Sequence, residues 1–349
     1  MPTLHKLAGF LIVCAVIIGL AAPRAGKATV ARHQKARVTR TAAPSATASP
    51  LPAVAPAAAR QVGANELGEV PVLMYHRVLA TPQSSLDRKP QDLRDELARL
   101  AREGYVPVTA ADYVAGRIDL PAGRHPVVLT FDDGSPSQFT LDALGNPAAG
   151  TAVAVILDVA RQYPGFRPVA TFFVNANPFN LAGQTRAAGI RWLGQHGFEV
   201  ANHTTHHLDL AGMSRAGVQQ EIGTDQKMIT DLGAPVPVTF AFPFGALSHL
   251  GWAQQGPSWR FGGMFLAGWK PADSPFEKDF DARLIPRIRS QGKIKQDGCD
   301  KFCSTAWLDW LDHNPDKRYT SDGDPRVISY PQAKTAALAG RFAALGRPY

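Results

Sequence analysis

Short apolar runs that alternate with helical segments restrict the fold of this chain more than any other feature. The runs occupy 70–75, 127–131, 169–174, 198–200, 238–242, 263–266 and 284–288. Segments with helical spacing lie between them, for example Leu93, Leu97 and Leu100 behind Pro90. Strands that alternate with helices predict parallel βαβ units. About seven such units fit an α/β fold of the (β/α) barrel class.

Two adjacent carboxylates, Asp132 and Asp133, come directly after the run at 127–131 and precede Gly134. In barrels of parallel strands, functional residues lie at the carboxyl ends of the strands. One carboxylate at such a place can bind a cation while its neighbour handles protons. Asp and Gly are also common in turns and helix caps, so the pair taken alone leaves a turn as an equal interpretation.

Histidines cluster after the run at 198–200, where residues 202–207 read Asn-His-Thr-Thr-His-His. His203 and His207 are four residues apart, a spacing that brings two imidazoles to one face of a helical turn. Three histidines in five residues are improbable by chance in a chain that has 10 histidines. With one aspartate, these two would form a His-His-Asp metal site with open positions for water and substrate.

Three segments of the chain together resemble a known family. Thr-Phe-Asp-Asp-Gly at 130–134, His-Thr-Thr-His-His at 203–207 and Phe-Pro-Phe-Gly at 242–245 resemble the first three motifs of the NodB-homology polysaccharide deacetylases, carbohydrate esterase family 4. The segment 70–78, Val-Pro-Val-Leu-Met-Tyr-His-Arg-Val, is similar to the exported branch that includes the poly-N-acetylglucosamine deacetylases. The resemblance covers about 66 to 290 and implies a distorted (β/α) barrel.

The resemblance implies a divalent metal held by one aspartate and two histidines. The ligands would be Asp133, His203 and His207, and Thr204 would support the histidine loop. We expect Zn²⁺, with Co²⁺ or Ni²⁺ as alternatives.

The resemblance also implies the catalytic groups. Asp132 would be the general base. His76, in the early Tyr-His segment, would be the general acid, with a structural histidine as the alternative interpretation. Pro243 and Phe244 would line the substrate and oxyanion position, Phe244 through its backbone N–H.

The chain departs from the family pattern at two places. The third motif usually has an arginine two residues before its proline, where this chain has Ala241. Because that arginine contacts the catalytic aspartate, Arg77 or Arg287 would have to replace it. The late motif that usually supplies the acidic histidine is not evident, which is why His76 takes that role.

Positive charge is concentrated before the folded part of the chain. Eight lysine and arginine residues precede the first acidic residue, Glu66, and they equal the formal net charge of +8. The remainder is neutral, which argues against a nucleic-acid partner, because such a protein needs basic residues clustered on its folded part.

The uncharged apolar run at 7–22 predicts an export signal, with an uncleaved membrane anchor as the alternative.

These patterns divide the chain into three parts. We expect a signal peptide or N-terminal anchor at 1–28, a disordered Ala/Pro/Arg-rich linker at 29–65, and a deacetylase domain at 66–349 with a C-terminal extension from about 291. In an exported protein, Cys299 and Cys303 predict a disulfide, with a zinc site that includes His313 as the alternative.

The sequence therefore predicts an exported hydrolase, extracellular or associated with the cell envelope, that acts as a monomer. It would remove N-acetyl groups from an amino sugar polysaccharide such as poly-N-acetylglucosamine, peptidoglycan or a chitin-like polymer, and release acetate. The expected partner is the polysaccharide, and the membrane would be contacted only through an uncleaved anchor. An O-acetyl esterase on xylan or wall polysaccharide and an inactive carbohydrate-binding homologue are the alternatives.

Overall fold

A sheet of parallel strands forms the centre of the molecule, in a computed structural model that describes residues 56–247, 249–291 and 298–349. Its strands are β1 (Val72–Tyr75), β2 (Tyr105–Val108), β3 (His125–Asp133), β4 (Thr171–Val174), β5 (Glu199–Asn202), β6 (Thr239–Ala241), β7 (Gly263–Phe265) and β8 (Ile288–Arg289). Seven of them follow the order β7-β6-β5-β4-β3-β1-β8, and β2 pairs with the first half of β3. The sheet curls into a half-barrel, so the predicted distorted (β/α) barrel is confirmed.

The helices of the described residues surround this sheet or follow it. They are α1 (Pro56–Gln61), α2 (Pro90–Arg102), α3 (Ala110–Val114), α4 (Ala152–Gln162), α5 (Gly183–Gln195), α6 (Arg215–Asp231), α7 (Leu250–Gln254), α8 (Cys299–Phe302) and α9 (Ser304–His313). Local sequence explains where several begin. Pro90 opens α2, and the side chains of Thr151 and Ser214 accept backbone N–H groups at the starts of α4 and α6.

Alternate residues of the strands enter two different hydrophobic clusters. In β3, Leu129 and Phe131 pack against the apolar faces of surrounding helices, whereas Val128 packs inside the curl of the sheet. Because side chains of a strand alternate between its faces, Asp132 shares the inner face with Val128. The strand period therefore directs one of the two adjacent carboxylates into the half-barrel.

The C-terminal residues fold back on the beginning of the described chain. Strands β9 (Ile328–Tyr330) and β10 (Gly346–Pro348) form a separate parallel pair. The Asn65 N–H donates to the carbonyl of Thr320 at 2.8 Å, and the Tyr349 hydroxyl donates to the carbonyl of Ala64 at 2.7 Å. The segment after about 291, predicted as an extension, therefore packs directly on the domain.

The predicted linker boundary at residue 65 is wrong. Residues 56–61 form α1, and Ala59, Ala64 and Asn65 are buried. A composition poor in large apolar side chains predicts disorder, but small alanines can still pack closely against a surface that the rest of the chain provides. The predicted signal at 1–28 and the linker up to residue 55 lie outside the described residues. In the described ranges, no helix combines the length and apolarity needed to cross a membrane.

Candidate active site

The segments predicted to carry chemistry meet at one edge of the sheet, because they end or directly follow neighbouring parallel strands. Tyr75 pairs with Phe131, which places His76, the next residue, beside Asp132. On the other side of β3, Asp133 pairs with β4, whose last residue pairs with Asn202, the residue before the histidines. The register therefore brings both aspartates and the histidine segment to a common rim.

Asp133, His203 and His207 form a compact cluster of potential metal ligands. Asp133 Oδ1 lies 3.6 Å from His203 Nε2 and 3.4 Å from His207 Nε2. One ligand atom from each residue lies within 4.8 Å of the other two. Carboxylate oxygen and imidazole nitrogen are ligands that zinc accepts, and three protein ligands leave positions for water and substrate.

The polar atoms of this cluster fit a cation. His203 Nδ1 lies 2.8 Å from the carbonyl oxygen of Ala241, so Nδ1 carries the proton in that hydrogen bond and the Nε2 lone pair faces Asp133. Both His203 Nε2 and Asp133 Oδ1 are buried without a hydrogen-bond partner. Buried polar atoms without partners are costly, and a divalent metal between them would remove that cost.

The histidine loop has a backbone conformation that is uncommon outside glycine. Thr204 has φ +67° and His207 has φ +53°. Two local bonds hold this shape: Asn202 Oδ1 accepts from the Thr204 N–H at 3.0 Å, and Thr204 Oγ1 accepts from the His207 N–H at 3.1 Å. Thr204 is thus positioned to support the loop, as the sequence resemblance implies.

Two acidic residues of helix α6 accept hydrogen bonds from the same loop. Asp225 Oδ2 accepts from the His203 N–H at 3.2 Å, and Glu221 accepts both the backbone N–H and the ring Nδ1 of His206. His206 therefore faces Glu221 rather than the ligand cluster. Of the three clustered histidines, His203 and His207 are the pair that faces Asp133.

Asp132 forms a buried bidentate ion pair with Arg287. The two terminal guanidinium nitrogens, Nη1 and Nη2, lie 2.7 Å from Asp132 Oδ1 and Oδ2, and neither side chain is more than 3% exposed. Burial alone would raise the pKa of Asp132, but the Arg287 guanidinium and the nearby His203 hold that pKa well below its usual range. Asp132 is consequently ionised throughout the physiological pH range.

Arg287 takes the place that the usual third-motif arginine would fill, since Ala241 has no side chain that could reach Asp132. The guanidinium also donates to the Leu266 carbonyl at 2.6 Å and to Thr130 Oγ1 at 3.1 Å. Arg77, the other arginine considered from the sequence, instead pairs with Asp87 at 2.8 Å.

His76 lies in the electrostatic field of both aspartates. Burial lowers its pKa, and the charges of Asp132 and Asp133 partly oppose that shift. His76 Nδ1 is buried without a hydrogen-bond partner. At neutral pH the imidazole is therefore mainly neutral, although the sequence-based mechanism assigns it the donating, protonated form.

The loop after β6 closes one side of the ligand cluster. The Phe244 ring lies 4.5 Å from the ring of His207, and Phe244 has φ +58°. The Gly245 N–H donates to the carbonyl of Phe242 at 3.0 Å, and Pro243 is buried. The Phe244 loop therefore borders the ligand cluster, while the oxyanion role of the Phe244 N–H stays a prediction.

Several supporting residues escaped the sequence-based interpretation. Gln138 donates to the backbone carbonyls of His76 and Asp132 and so ties the two strand ends together, but no local pattern marks it. Asp225 lies on the face of α6 that also buries Ile222 and Ile229. An acidic residue on the apolar face of a predicted helix could have indicated a buried polar partner.

The half-barrel and the cluster at its carboxyl rim define the class of this protein: an α/β barrel with a His-His-Asp site that could hold a metal, and an adjacent ionised aspartate. Residues 119–255 match the family model described as polysaccharide deacetylase. This range includes Asp132, both candidate ligand histidines and Phe244, and excludes His76 and Arg287. Over residues 119–255 the chain is similar to the polysaccharide deacetylases.

Similarity to known proteins points the same way. The chain is 34% identical over 100 residues to the chitooligosaccharide deacetylase of Sinorhizobium fredii, and 23% identical over 181 residues to Bacillus subtilis YxkH, which is provisionally named a polysaccharide deacetylase. The matched parts cover 29% and 51% of this chain but only 37% and 57% of those relatives. The Streptococcus pyogenes deacetylase PplD, solved with acetate, has the same fold, with a TM-score of 0.51 and 18% identity over 68% of this chain and 98% of that one.

Proposed function

We propose that this protein is a metal-dependent hydrolase that removes N-acetyl groups from an amino sugar polysaccharide and releases acetate. The observation that carries the proposal is the cluster of Asp133, His203 and His207, whose ligand atoms lie within 4.8 Å of one another. Beside it lies an aspartate that Arg287 keeps ionised. The similarity to a chitooligosaccharide deacetylase favours an N-acetylated sugar as substrate.

The metal that fits the three ligands, proposed as Zn²⁺, would polarise the acetamide carbonyl and lower the pKa of a bound water. Asp132 then accepts a proton from the attacking water. Each carboxylate oxygen has lone pairs beyond the one that faces Arg287, so the ion pair leaves room for this proton. The low pKa of Asp132 also means that the proton is readily passed on.

His76 delivers a proton to the departing nitrogen, because an amine leaves far more readily than an amide anion. Its lowered pKa leaves the ring neutral before the reaction, so the donated proton has to arrive during turnover. The proton that Asp132 accepts from water is a suitable source, since Asp132 lies beside His76 in the strand register. The backbone N–H of Phe244 is proposed as the donor to the oxyanion.

We also propose that the protein is exported and acts on a polymer outside the cytoplasm, as a monomer. The apolar run at 7–22 supports an export signal. The structure joins Cys299 and Cys303 in a disulfide, a bond typical of oxidising compartments. Poly-N-acetylglucosamine, peptidoglycan and chitin-like polymers all carry the acetamide group that this chemistry requires.

The test combines acetate release from N-acetylglucosamine oligomers with metal analysis. The wild type should release acetate and contain one metal ion per chain. Asp132→Asn should keep the metal and lose roughly 10²–10⁴-fold in rate, as expected for a general base. His203→Ala should lose the metal, and His76→Ala should slow the reaction while keeping it.

Asp231→Asn is the matched control, because Asp231 is an exposed aspartate at the end of α6. It should change neither quantity. An active Asp132→Asn variant would contradict the proposed base. A His203→Ala variant with stoichiometric metal would contradict the ligand set, and acetate release from acetylated xylan alone would indicate an O-acetyl esterase.

A further inference from the structure

Two exposed aromatic side chains line a cavity at the same rim as the candidate metal site. The Trp269 side chain is 69% exposed and that of Phe302 is 47% exposed. Together with Gly268 and Cys303 they border a cavity of about 370 Å³. Trp269 follows the carboxyl end of β7, which places the cavity beside the edge where the barrel would close. A large aromatic side chain kept in solvent within a concave site is typical of a binding surface.

A chain of residue contacts connects the lining of the cavity to the candidate metal site. The Phe244 ring contacts the His207 ring at 4.5 Å. The next residue, Gly245, lies so close to Ala267 that a Cβ added to Gly245 would come within 3.0 Å of the Ala267 nitrogen. Ala267 itself borders the cavity. A linear ligand could therefore pass from the ligand cluster, across the Phe244 loop, to Trp269.

Both aromatic residues are held by the C-terminal segment. The Trp307 ring Nε1–H, on α9, donates to the carbonyl of Trp269 at 2.7 Å. Phe302 belongs to the short turn that the Cys299–Cys303 disulfide closes. These residues lie outside the range 119–255 that matches the family model. The segment after residue 298 thus provides a rigid wall that the family match does not include.

We propose that Trp269 and Phe302 form a sugar-binding subsite that holds a pyranose ring of the polymer, away from the unit that reacts. This inference rests on the proposed function, because the occupant is the continuation of the same substrate chain. One face of a glucosamine ring presents C–H groups, and these pack well on the exposed face of an aromatic ring. Binding energy from such a remote unit raises the rate on long substrates.

The experiment compares kcat/KM for acetate release from the N-acetylglucosamine dimer and hexamer. In wild type, the hexamer should be the better substrate. Trp269→Ala should reduce the hexamer-to-dimer ratio about 5- to 10-fold, the loss expected when one aromatic contact of ordinary strength is removed. Phe302→Ala should reduce the ratio in the same direction, and Trp269→Phe should retain most of it.

Leu144→Ala is the matched control, because Leu144 is an exposed apolar residue, 85% accessible, that borders neither site. It should leave the ratio unchanged. An unchanged ratio in Trp269→Ala, or an equal loss on dimer and hexamer, would overturn the subsite.

Binding of the hexamer to the Asp132→Asn variant separates the subsite from the reaction. Trp269→Ala in that background should weaken binding by the same factor, measured by calorimetry. If wild type released no acetate but Trp269 still controlled hexamer binding, the proposed function would fail and the subsite would stand. If acetate were released without any dependence on Trp269, the subsite would fail and the proposed function would stand.

Discussion

The amino and carboxyl ends of the strands differ in whether their buried polar groups have hydrogen-bond partners. At the amino ends of β4, β5 and β6, Glu199 accepts hydrogen bonds from Thr171 Oγ1 at 2.8 Å, Thr239 Oγ1 at 2.5 Å and the Ala111 N–H at 2.9 Å. Three elements are joined by one carboxylate. Each strand contributes its first residue, so the pairing register itself assembles the group.

At the carboxyl ends, polar atoms converge without partners. His76 Nδ1, Asp133 Oδ1 and His203 Nε2 are buried and unsatisfied, and Asp133 has φ +76°. Strained backbone and unpaired polar atoms persist only where the surrounding fold enforces them, and they concentrate at functional sites. The amino ends of the strands therefore contribute stability through satisfied hydrogen bonds, whereas the carboxyl ends leave polar atoms available to bind a ligand at a cost in stability.

The largest effect is expected from disrupting the Asp132–Arg287 pair at the carboxyl ends of the strands. Arg287→Met removes the cation from Asp132 and leaves a buried carboxylate unpaired, which should destabilise the protein by about 3–5 kcal/mol. The pKa of Asp132 should rise at the same time, because burial then acts without opposition, and acetate release should fall. Urea unfolding and the acetate assay measure the two effects.

Arg117→Met is the control for that variant, because the Arg117–Asp112 pair is largely exposed. It should change stability by no more than about 1 kcal/mol. Wild-type stability and activity in Arg287→Met would show that Asp132 does not depend on its guanidinium partner.

The next effect concerns the opposite end of the strands. Glu199→Ala leaves the Thr171 and Thr239 hydroxyls and the Ala111 N–H without their acceptor, and the unfolding free energy should fall by about 1–3 kcal/mol. Metal content and kcat/KM of the folded protein should stay unchanged. Glu199→Gln, which keeps an acceptor, should lose less. A changed kcat/KM at wild-type stability would mean that the two ends are not separable.

The approximate strand positions and the residues at the carboxyl rim were predictable, because both follow from apolar runs in the sequence and the polar residues next to them. The apolar run at 127–131 locates β3, which extends two residues further and ends at Asp133. His203 and His207 do meet, but in a loop with φ +67° at Thr204 and +53° at His207 rather than on the helical turn that their spacing predicted. Strand β2 was missed because it is four residues long and contains Pro107, which weakens its strand signal. Its pairing with β3 comes from tertiary contacts.

Arg287 shows a different limit of sequence patterns. The resemblance left Arg77 and Arg287 as candidate partners of Asp132, and only the register of β8 against β1 shows that Arg287 is the partner. The boundary near residue 65 failed for a related reason, since the surface that buries Ala59 and Ala64 comes from distant parts of the chain.

A further effect, which depends on pH, tests a buried acid far from the rim. Glu66 accepts from the Ser329 N–H at 2.8 Å and from the Tyr319 hydroxyl at 3.2 Å. Burial, together with the nearby charge of Asp322, raises the pKa of Glu66 from 4.5 to about 8. The folded protein thus keeps a proton that the unfolded chain has already released above its pKa of 4.5.

The contribution of Glu66 to the free energy of unfolding is therefore fully present below pH 4.5 and decreases as the pH rises towards 8. The limiting slope for one such group is about 1.4 kcal/mol per pH unit. Glu66→Gln cannot ionise, so its urea unfolding free energy should lose this slope between pH 5 and 8 while metal content and activity stay the same. An identical slope in the variant and the wild type would assign the pH dependence to another group and leave Glu66 ionised in the folded protein. In that case the amino-terminal side of the molecule would carry an uncompensated charge, and the contrast with the reactive rim would weaken.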